Sequence, residues 1–336
     1  MDPDKLPFER IVRTVLIRRK ADTDPRFGCD PNKRPATVLA MYGIVNINKP
    51  RGPTSHQVSA YVQQILGIDK AGHSGTLDPH VTGALPVALG NGTRIVEGLL
   101  TAGKEYVGVM HLHSDHTEDE LRIATEAFVG KIKQLPPVKS AVKRQIRFRT
   151  IYYFTILEIK GRDVLFRVGC QAGTYIRKLV HDLGRALGSG AHMAELIRTK
   201  AGPFTDKDMW TLQDLRDAVW YWKEQGNETF LRRVILNIEK AVAHLPKVWV
   251  LDTTVDTLCH GAMLNVPGIA SVESGIETDQ TVAVITLKQE LICIGTARMK
   301  SEDMIQKEKG LAIRTNKVFM QPGTYPKIPR DSPPPS

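Results

Sequence analysis

At 336 residues, with 42% hydrophobic and 24% charged residues, the chain has the composition of folded protein and room for about two domains, which excludes long-range disorder. No apolar run approaches the roughly 18 residues of a membrane-spanning helix, and the N-terminus MDPDKLPFERIVRTVLIRRK lacks the unbroken apolar core of a secretory signal. Lys and Arg number 46 against 36 Asp and Glu, a net charge of +10, which favours a polyanionic partner without identifying it. Cys29, Cys170, Cys259 and Cys293 are far apart and form no CxxC pair, so they read as reduced thiols of an intracellular protein.

Residues 1–40 are basic, punctuated by Pro25, Pro31 and Pro35, and read as an extension wrapped on something larger. A strand at Tyr42–Ile47 runs into NKPRGPTS. A helix follows, with Val58, Tyr61, Val62, Ile65 and Leu66 at helical spacing, a Thr54/Ser55 cap and a stop at Gly67. The glycine-rich turn AGHSGTLDP precedes a helix around Thr93–Leu100 and a strand around Tyr106–Leu112. Thr117 and Glu120 can form a capping box for a helix ending near Gly130.

The segment KIKQLPPVKSAVKRQIRFR then places Lys131, Lys133, Lys139, Lys143, Arg144, Arg147 and Arg149 in one strip without an acid. Such a strip repels itself unless phosphate or solvent neutralises it, and it is a candidate nucleic-acid contact, with a merely solvated face as the alternative. YYFTILEI–KGRD–VLFRV reads as a hairpin. In GTYIRKLVHDLGRALG, Thr174 can cap a helix whose apolar face is Ile176, Leu179, Val180, Leu183 and Leu187. Strands with few long helices between them point to α+β architecture with a central, largely antiparallel mixed sheet. A second unit starts near Val248, with strands at Val282–Leu287, Glu290–Ala297 and Gly310–Met320, and forms a compact β domain. The tail TYPKIPRDSPPPS is too rich in proline to pack. The divisions are therefore 1–40, 41–247, 248–325 and a flexible 326–336.

AGHSGTLDPHVTG is the densest unusual segment. Gly72 and Gly75 permit backbone positions that a side chain excludes, and Pro79 restrains Asp78. Such an environment holds a carboxylate still, although an ordinary DP turn looks the same. No second carboxylate stands at a defined spacing, which weakens a paired-acid glycosidase reading. If Thr174 is the cap, Arg177 sits in the first turn of its helix, where the macrodipole disfavours a cation by roughly 0.3–1 kcal/mol. A cation placed there is easier to explain if it faces an anion, a carboxylate such as Asp78 or an RNA phosphate, although on spacing alone an arginine reaching into solvent looks the same. Tyr106 and Tyr175 are the aromatic candidates for a nucleobase pocket. His111, His113 and His116 lack a completing Cys or Glu and are not expected to bind metal. No nucleotide-binding, zinc-hydrolase or serine-hydrolase motif occurs, and HMAE at His192–Glu195 lacks the deaminase PCxxC. No cofactor is expected.

Five segments coincide, in order, with one family. NKPRGPTSHQV (Asn48–Val58), AGHSGTLDPHVTGALPVALG (Ala71–Gly90), GKEY (Gly103–Tyr106), LPPVKSAVKR (Leu135–Arg144) and VGCQAGTYIRKL (Val168–Leu179) resemble the signature blocks of TruB-type pseudouridine synthases. HGAMLNVPGIA and the strands after it resemble a PUA domain, an RNA-binding β-barrel. Within the family the chain resembles the archaeal branch related to dyskerin, the catalytic subunit of H/ACA guide-RNA particles; a stand-alone tRNA enzyme is the alternative, and a non-catalytic RNA-binding scaffold a second.

The resemblance implies isomerisation of uridine to pseudouridine in rRNA and tRNA, without cofactor or metal. Asp78 matches the catalytic aspartate and Arg177 its arginine partner. Tyr106 matches the tyrosine that stacks on the base, and Tyr175 the pocket tyrosine beside Arg177. His73 matches the histidine that fills the place of the flipped nucleotide, Lys49 the lysine supporting the loop, and Leu196 the apolar pocket wall. The implied partners are guide RNA, substrate RNA, a small zinc-ribbon-type protein, a small β-barrel protein of the glycine-arginine-rich family and a kink-turn-binding ribosomal-type protein. The extension 1–40 is expected to pack on the PUA domain, and the location to be cytoplasmic.

Overall fold

In the computed structural model, which describes residues 4–136 and 143–327, the strand Lys104–Leu112 is the spine of the larger sheet. It pairs antiparallel with Asp163–Cys170 on one side and Ala191–Ala201 on the other. Arg147–Lys160 and then Gly130–Gln134 extend the first flank, both antiparallel. On the second flank Thr82–Leu89 joins Ala191–Ala201 in parallel, and Gly43–Lys49 lies beyond it. The result is the mixed, largely antiparallel sheet that the strand-rich sequence implies.

The helix Ile176–Ala186 covers this sheet because Ile176, Leu179, Val180 and Leu183 recur at helical spacing and are all buried. They pack with Met110, Leu112, Phe166 and Val168 of the strands and with Leu121 of the helix Glu118–Ala127. Each such side chain contributes about 1.5–3 kcal/mol by leaving water. Thr117 with Glu120 forms the expected capping box; at the start of Ser55–Leu66 the cap is Thr54, with Gln57 completing a box that the Thr54/Ser55 reading did not include.

The chain divides into two units: residues up to Ile11 with Val45–Ile235, and Val12–Ile44 with the chain from Leu236 onward. In the second unit the strands run in the order Val15–Ile17, Ile269–Glu273, Lys247–Val250, Thr281–Thr286, Leu291–Ala297, Leu311–Val318, Leu264–Asn265. One apolar core, including Val248, Val272, Val284, Ile292 and Ile313, draws on them. Arg34 reaches Glu239 through two hydrogen bonds of 2.8 Å, and Phe27 packs against Tyr325.

Several expectations are corrected. Placing all of 1–40 on the C-terminal unit overlooks residues 4–11, which lie with the larger unit. There Leu6 is buried, Asp4 accepts from Thr155 Oγ1 at 2.7 Å, and Glu9 pairs with Lys200. The C-terminal unit also begins before Val248. Ala36–Tyr42 is a helix, too short for a periodic signal. The helix expected at Thr93–Leu100 starts as a 3-10 turn, Gly90–Ile95, and becomes α-helical only over Val96–Leu100. Thr174 is not a cap: its hydroxyl donates to the Gln171 carbonyl, and the helix starts behind Tyr175. Lys139 and most of the proline-rich tail lie outside the described residues.

Candidate active site

Asp78 sits in the loop of a hairpin whose arms are Ala71–His73 and Thr82–Leu89. The loop is fastened by side chains from distant parts of the larger unit. Ser55, wholly buried, bonds both the N–H and the carbonyl of Leu77. Lys49, equally buried, donates through Nζ to the carbonyls of Pro50, Pro79 and Val81 at 2.9, 3.2 and 3.0 Å. Desolvation pulls its pKa down, with Asp78 opposing that shift. Gly52 N–H donates to the Pro79 carbonyl, and Arg198 Nη2 to the Gly75 carbonyl. Gly75 has φ +126°, a conformation that only glycine adopts without strain. Leu77 and Val81 are buried in the apolar cluster that also holds Ile176 and Leu196, with Tyr106 packed against it. The loop is thereby moored on both sides of Asp78, whose own carboxylate is half exposed.

Arg177, the second residue of Ile176–Ala186, forms an ion pair with that carboxylate through Nη2. Of the two anions considered for Arg177, the carboxylate of Asp78 is the one it meets here. With side-chain exposures of 64% and 51%, such a pair contributes at most about 1 kcal/mol to stability. Stability therefore does not account for it.

The aromatic candidates are placed by the sheet. Tyr106 lies opposite Arg198 and Val168. Burial raises the pKa of its hydroxyl, and Arg198 and Asp78 both act on it. Leu196, 9% exposed, faces Gly108 across the strands. A Cβ on Gly108 would come within 3.0 Å of Leu196 Cδ1, so the missing side chain makes room for it. Tyr175 precedes the helix that carries Arg177. His73 is half-buried beside the edge of His56, and neither of its ring nitrogens has a hydrogen-bond partner. Desolvation first, then His56 and Arg198, push its pKa down to about 4.

The basic strip does not form one surface. Gly130–Gln134 pairs with the start of Arg147–Lys160 in the register Lys131↔Thr150, Ile132↔Arg149, Lys133↔Phe148, Gln134↔Arg147. Directly opposed residues share a face. Arg147 and Arg149 therefore stand on the face of buried Gln134, while Lys131 and Lys133 stand with Phe148 on the other. The Nε atoms of Arg147 and Arg149 are buried without a partner, whereas Lys131 lies over the exposed Phe148 ring. Lys143 and Arg144 are exposed.

His111 pairs with Asp163, His113 with His192 and His116 with Ser189. Among the described residues no group of three or more His, Cys, Asp or Glu is arranged to hold a metal ion, and no helix is long and apolar enough to cross a membrane. Ser55, Gln134 and Arg198 escape the sequence reading. Only Ser55 carried a local signal, as part of the Thr54/Ser55 cap, and that signal pointed to a different task.

The larger unit thus carries a moored acid paired with an arginine, with Tyr106 and Leu196 at the apolar cluster around the loop. Residues 63–176 match the TruB family pseudouridylate synthase (N terminal domain), and 177–243 the tRNA pseudouridylate synthase B C-terminal domain. Residues 246–319 match the PUA domain and 4–59 the DKCLD (NUC011) domain. A probable tRNA pseudouridine synthase B of Methanopyrus kandleri is 53% identical over 96% of this chain and 95% of its own length. One from Pyrococcus abyssi is 53% identical over 95% of this chain and 96% of its own. The chain belongs to the TruB family of pseudouridine synthases, with DKCLD and PUA domains.

Two solved structures extend the likeness. A chain of a Cbf5–Nop10–Gar1 complex superposes with a TM-score of 0.92 at 52% identity, covering 97% of this chain and 99% of that one. A chain of an H/ACA ribonucleoprotein bound to a substrate RNA containing 2′-deoxyuridine gives 0.90 at 50% identity, covering 96% and 99%.

Proposed function

We propose that this pseudouridine synthase acts on uridines of rRNA and tRNA as the catalytic subunit of an H/ACA guide-RNA particle, with Asp78 as the reacting carboxylate and Arg177 as its partner. The observation that carries the guide-directed reading is the extent of the likeness. A chain from a Cbf5–Nop10–Gar1 complex and one from an H/ACA ribonucleoprotein bound to substrate RNA align over 97% and 96% of this chain. On this reading the partners are guide RNA, substrate RNA, a zinc-ribbon-type protein, a small β-barrel protein of the glycine-arginine-rich family and a kink-turn-binding protein, and the particle is cytoplasmic.

Pseudouridine formation breaks the N1–C1′ bond, turns the uracil and joins C5 to C1′. A base within a duplex is inaccessible, so the uridine leaves its stack at a cost of a few kcal/mol. The face of Tyr106 offsets that cost by stacking, with Tyr175 and Leu196 bounding the ring. His73, its ring nitrogens unpartnered, fills the vacated place. Asp78 acts as an anion on the sugar or the ring, and Arg177 fixes its orientation through a charge-assisted hydrogen bond. Lys49 keeps the loop in place. Arg147 and Arg149 hold substrate phosphate on the face of Gln134, with Lys131, Lys133, Lys143 and Arg144 contributing a more distant field. The PUA domain, with the extension from Val12, grips a separate part of the guide, and base pairing by the guide supplies the sequence choice.

The name shared by the curated relatives, tRNA pseudouridine synthase B, supports a second reading, guide-independent modification of tRNA. Tritium release from RNA labelled at uridine C5 separates the two. The full chain with accessory proteins is expected to modify a target only when a matching guide is added. Equal modification of a tRNA transcript without guide would establish the second reading instead.

A further inference from the structure

Gln134 ends the strand Gly130–Gln134 and is 2% exposed. Its carboxamide treats Tyr175 as a neighbouring strand would. Nε2 donates to the Tyr175 carbonyl at 3.1 Å, and the Tyr175 N–H donates to Oε1 at 3.0 Å. Tyr175 is the N-cap of the helix carrying Arg177, and that helix has no side-chain cap of its own. A buried carboxamide is costly unless both of its ends are bonded. An apolar residue would fill the same space, so the two bonds to Tyr175 are what the glutamine adds.

The partner strand fastens the same turn from its other end. Gln171 N–H donates to the Thr150 carbonyl at 2.8 Å, and Thr150 N–H donates to Gln171 Oε1 at 3.2 Å. The Arg149 guanidinium lies against Gly173, where φ is +78° and a Cβ would come within 3.1 Å of Arg149 Nε. The turn 171–175 is therefore bound to the same two-stranded ribbon that presents Arg147 and Arg149.

We propose that Gln134 is a positioning residue: it couples the basic ribbon to Arg177, so that RNA phosphate held on the ribbon fixes the arginine against Asp78. The coupling rests on the reading of Asp78 and Arg177 as the catalytic pair. It runs through two backbone groups one residue before Ile176 and two before Arg177. A shift of Gln134 is thus passed directly to the start of that helix.

The test compares Gln134→Met, Gln134→Glu, Arg177→Ala and the double variant Q134M/R177A in the full chain, using whichever RNA format, guided or tRNA, supports wild-type turnover. Methionine keeps the volume and removes both bonds; glutamate keeps the acceptor for the Tyr175 N–H and loses the donor. Single-turnover rate at saturating enzyme and substrate Kd are read separately. Q134M is expected to slow the chemical step about 10-fold or more with Kd changed less than about 2-fold, Q134E to fall between it and wild type, and Q134M/R177A to be no slower than R177A. A wild-type rate in Q134M beside a slow R177A overturns the coupling, as do losses that multiply in full, which would mark a purely structural role. If Q134M fails to fold, a wild-type rate in Q134E overturns it as well. A wild-type rate in R177A overturns the catalytic-pair reading instead.

Discussion

Ser55 brackets the peptide groups of Leu77: its hydroxyl accepts from the Leu77 N–H at 2.8 Å and donates to the Leu77 carbonyl at 3.2 Å. Both residues are buried, so these bonds are shielded from water and fix the backbone one step before Asp78. Replacing Ser55 by alanine leaves a buried N–H and a buried carbonyl unsatisfied, at about 1–3 kcal/mol each before relaxation. Ser55→Ala is expected to lower the melting temperature and the single-turnover rate together while RNA affinity stays near wild type. A calorimetric scan beside a filter-binding titration checks this; loss of affinity without loss of rate contradicts it.

The catalytic pair separates charge from geometry. Asp78→Asn keeps the volume of the side chain and removes its anion, so RNA binding should persist while pseudouridine formation falls by several orders of magnitude, or about 4 kcal/mol and more of lost transition-state stabilisation. Product chromatography after a single turnover decides it, and substantial pseudouridine in D78N would remove Asp78 from the reaction.

Arg177→Lys retains the positive charge but not the planar fork of the guanidinium. Because Arg177 meets Asp78 in a half-exposed setting, bulk charge is screened and orientation carries most of the effect. R177K is expected to recover less than about a tenth of the wild-type rate. Wild-type turnover in R177K would show that a point charge suffices.

How much of this was legible in the sequence depends on how local each signal is. The Asp78 loop announces itself because Gly72, Gly75 and Pro79 lie within a few residues of the acid, and the capping boxes at Thr54 and Thr117 are four-residue patterns. Arg177 was readable as a misplaced first-turn cation. The supports were not: Ser55 reaches Leu77 across 22 residues and Gln134 reaches Tyr175 across 41, and side-chain-to-backbone bonds at such separations leave no spacing to detect. Thr174 misled because a threonine before a helical run favours a cap; the turn instead spends that hydroxyl on Gln171 and lets Gln134 serve the helix start. The two faces of the basic strip follow from the period of two along Gly130–Gln134 and Arg147–Lys160, but only once those segments are known to be strands.

His73 gives a pH dependence with a definite sign. Its pKa in the folded chain is about 4, against the ordinary 6.5. The unfolded chain therefore binds the proton first. Above about pH 7 the group is neutral in both states and contributes nothing to the slope. As pH falls from 6.5 toward 4, the unfolded state gains protons and stability is lost. His73→Gln is expected to flatten the melting temperature against pH in that window and leave it unchanged above pH 7. An NMR titration in which the His73 ring protonates near pH 6.5 in the native protein would rule out the desolvated setting.

Charge removal on the two faces of the ribbon should separate as its register does. Arg147 and Arg149 stand with Gln134, on the face of the ribbon whose glutamine bonds Tyr175 at the start of the helix carrying Arg177. Lys131 and Lys133 point from the opposite face, where Lys131 already rests on Phe148. If Arg147 and Arg149 each neutralise one phosphate, the double alanine variant lowers the slope of log affinity against log salt by about 2 and weakens substrate binding at any one salt concentration. The lysine double variant should change the slope less and leave single-turnover rates at saturation near wild type. Affinities measured across a salt series for both variants decide it: equal slope changes would mean that RNA crosses the ribbon on both faces, and a larger change for the lysines would place the RNA on the side away from Asp78.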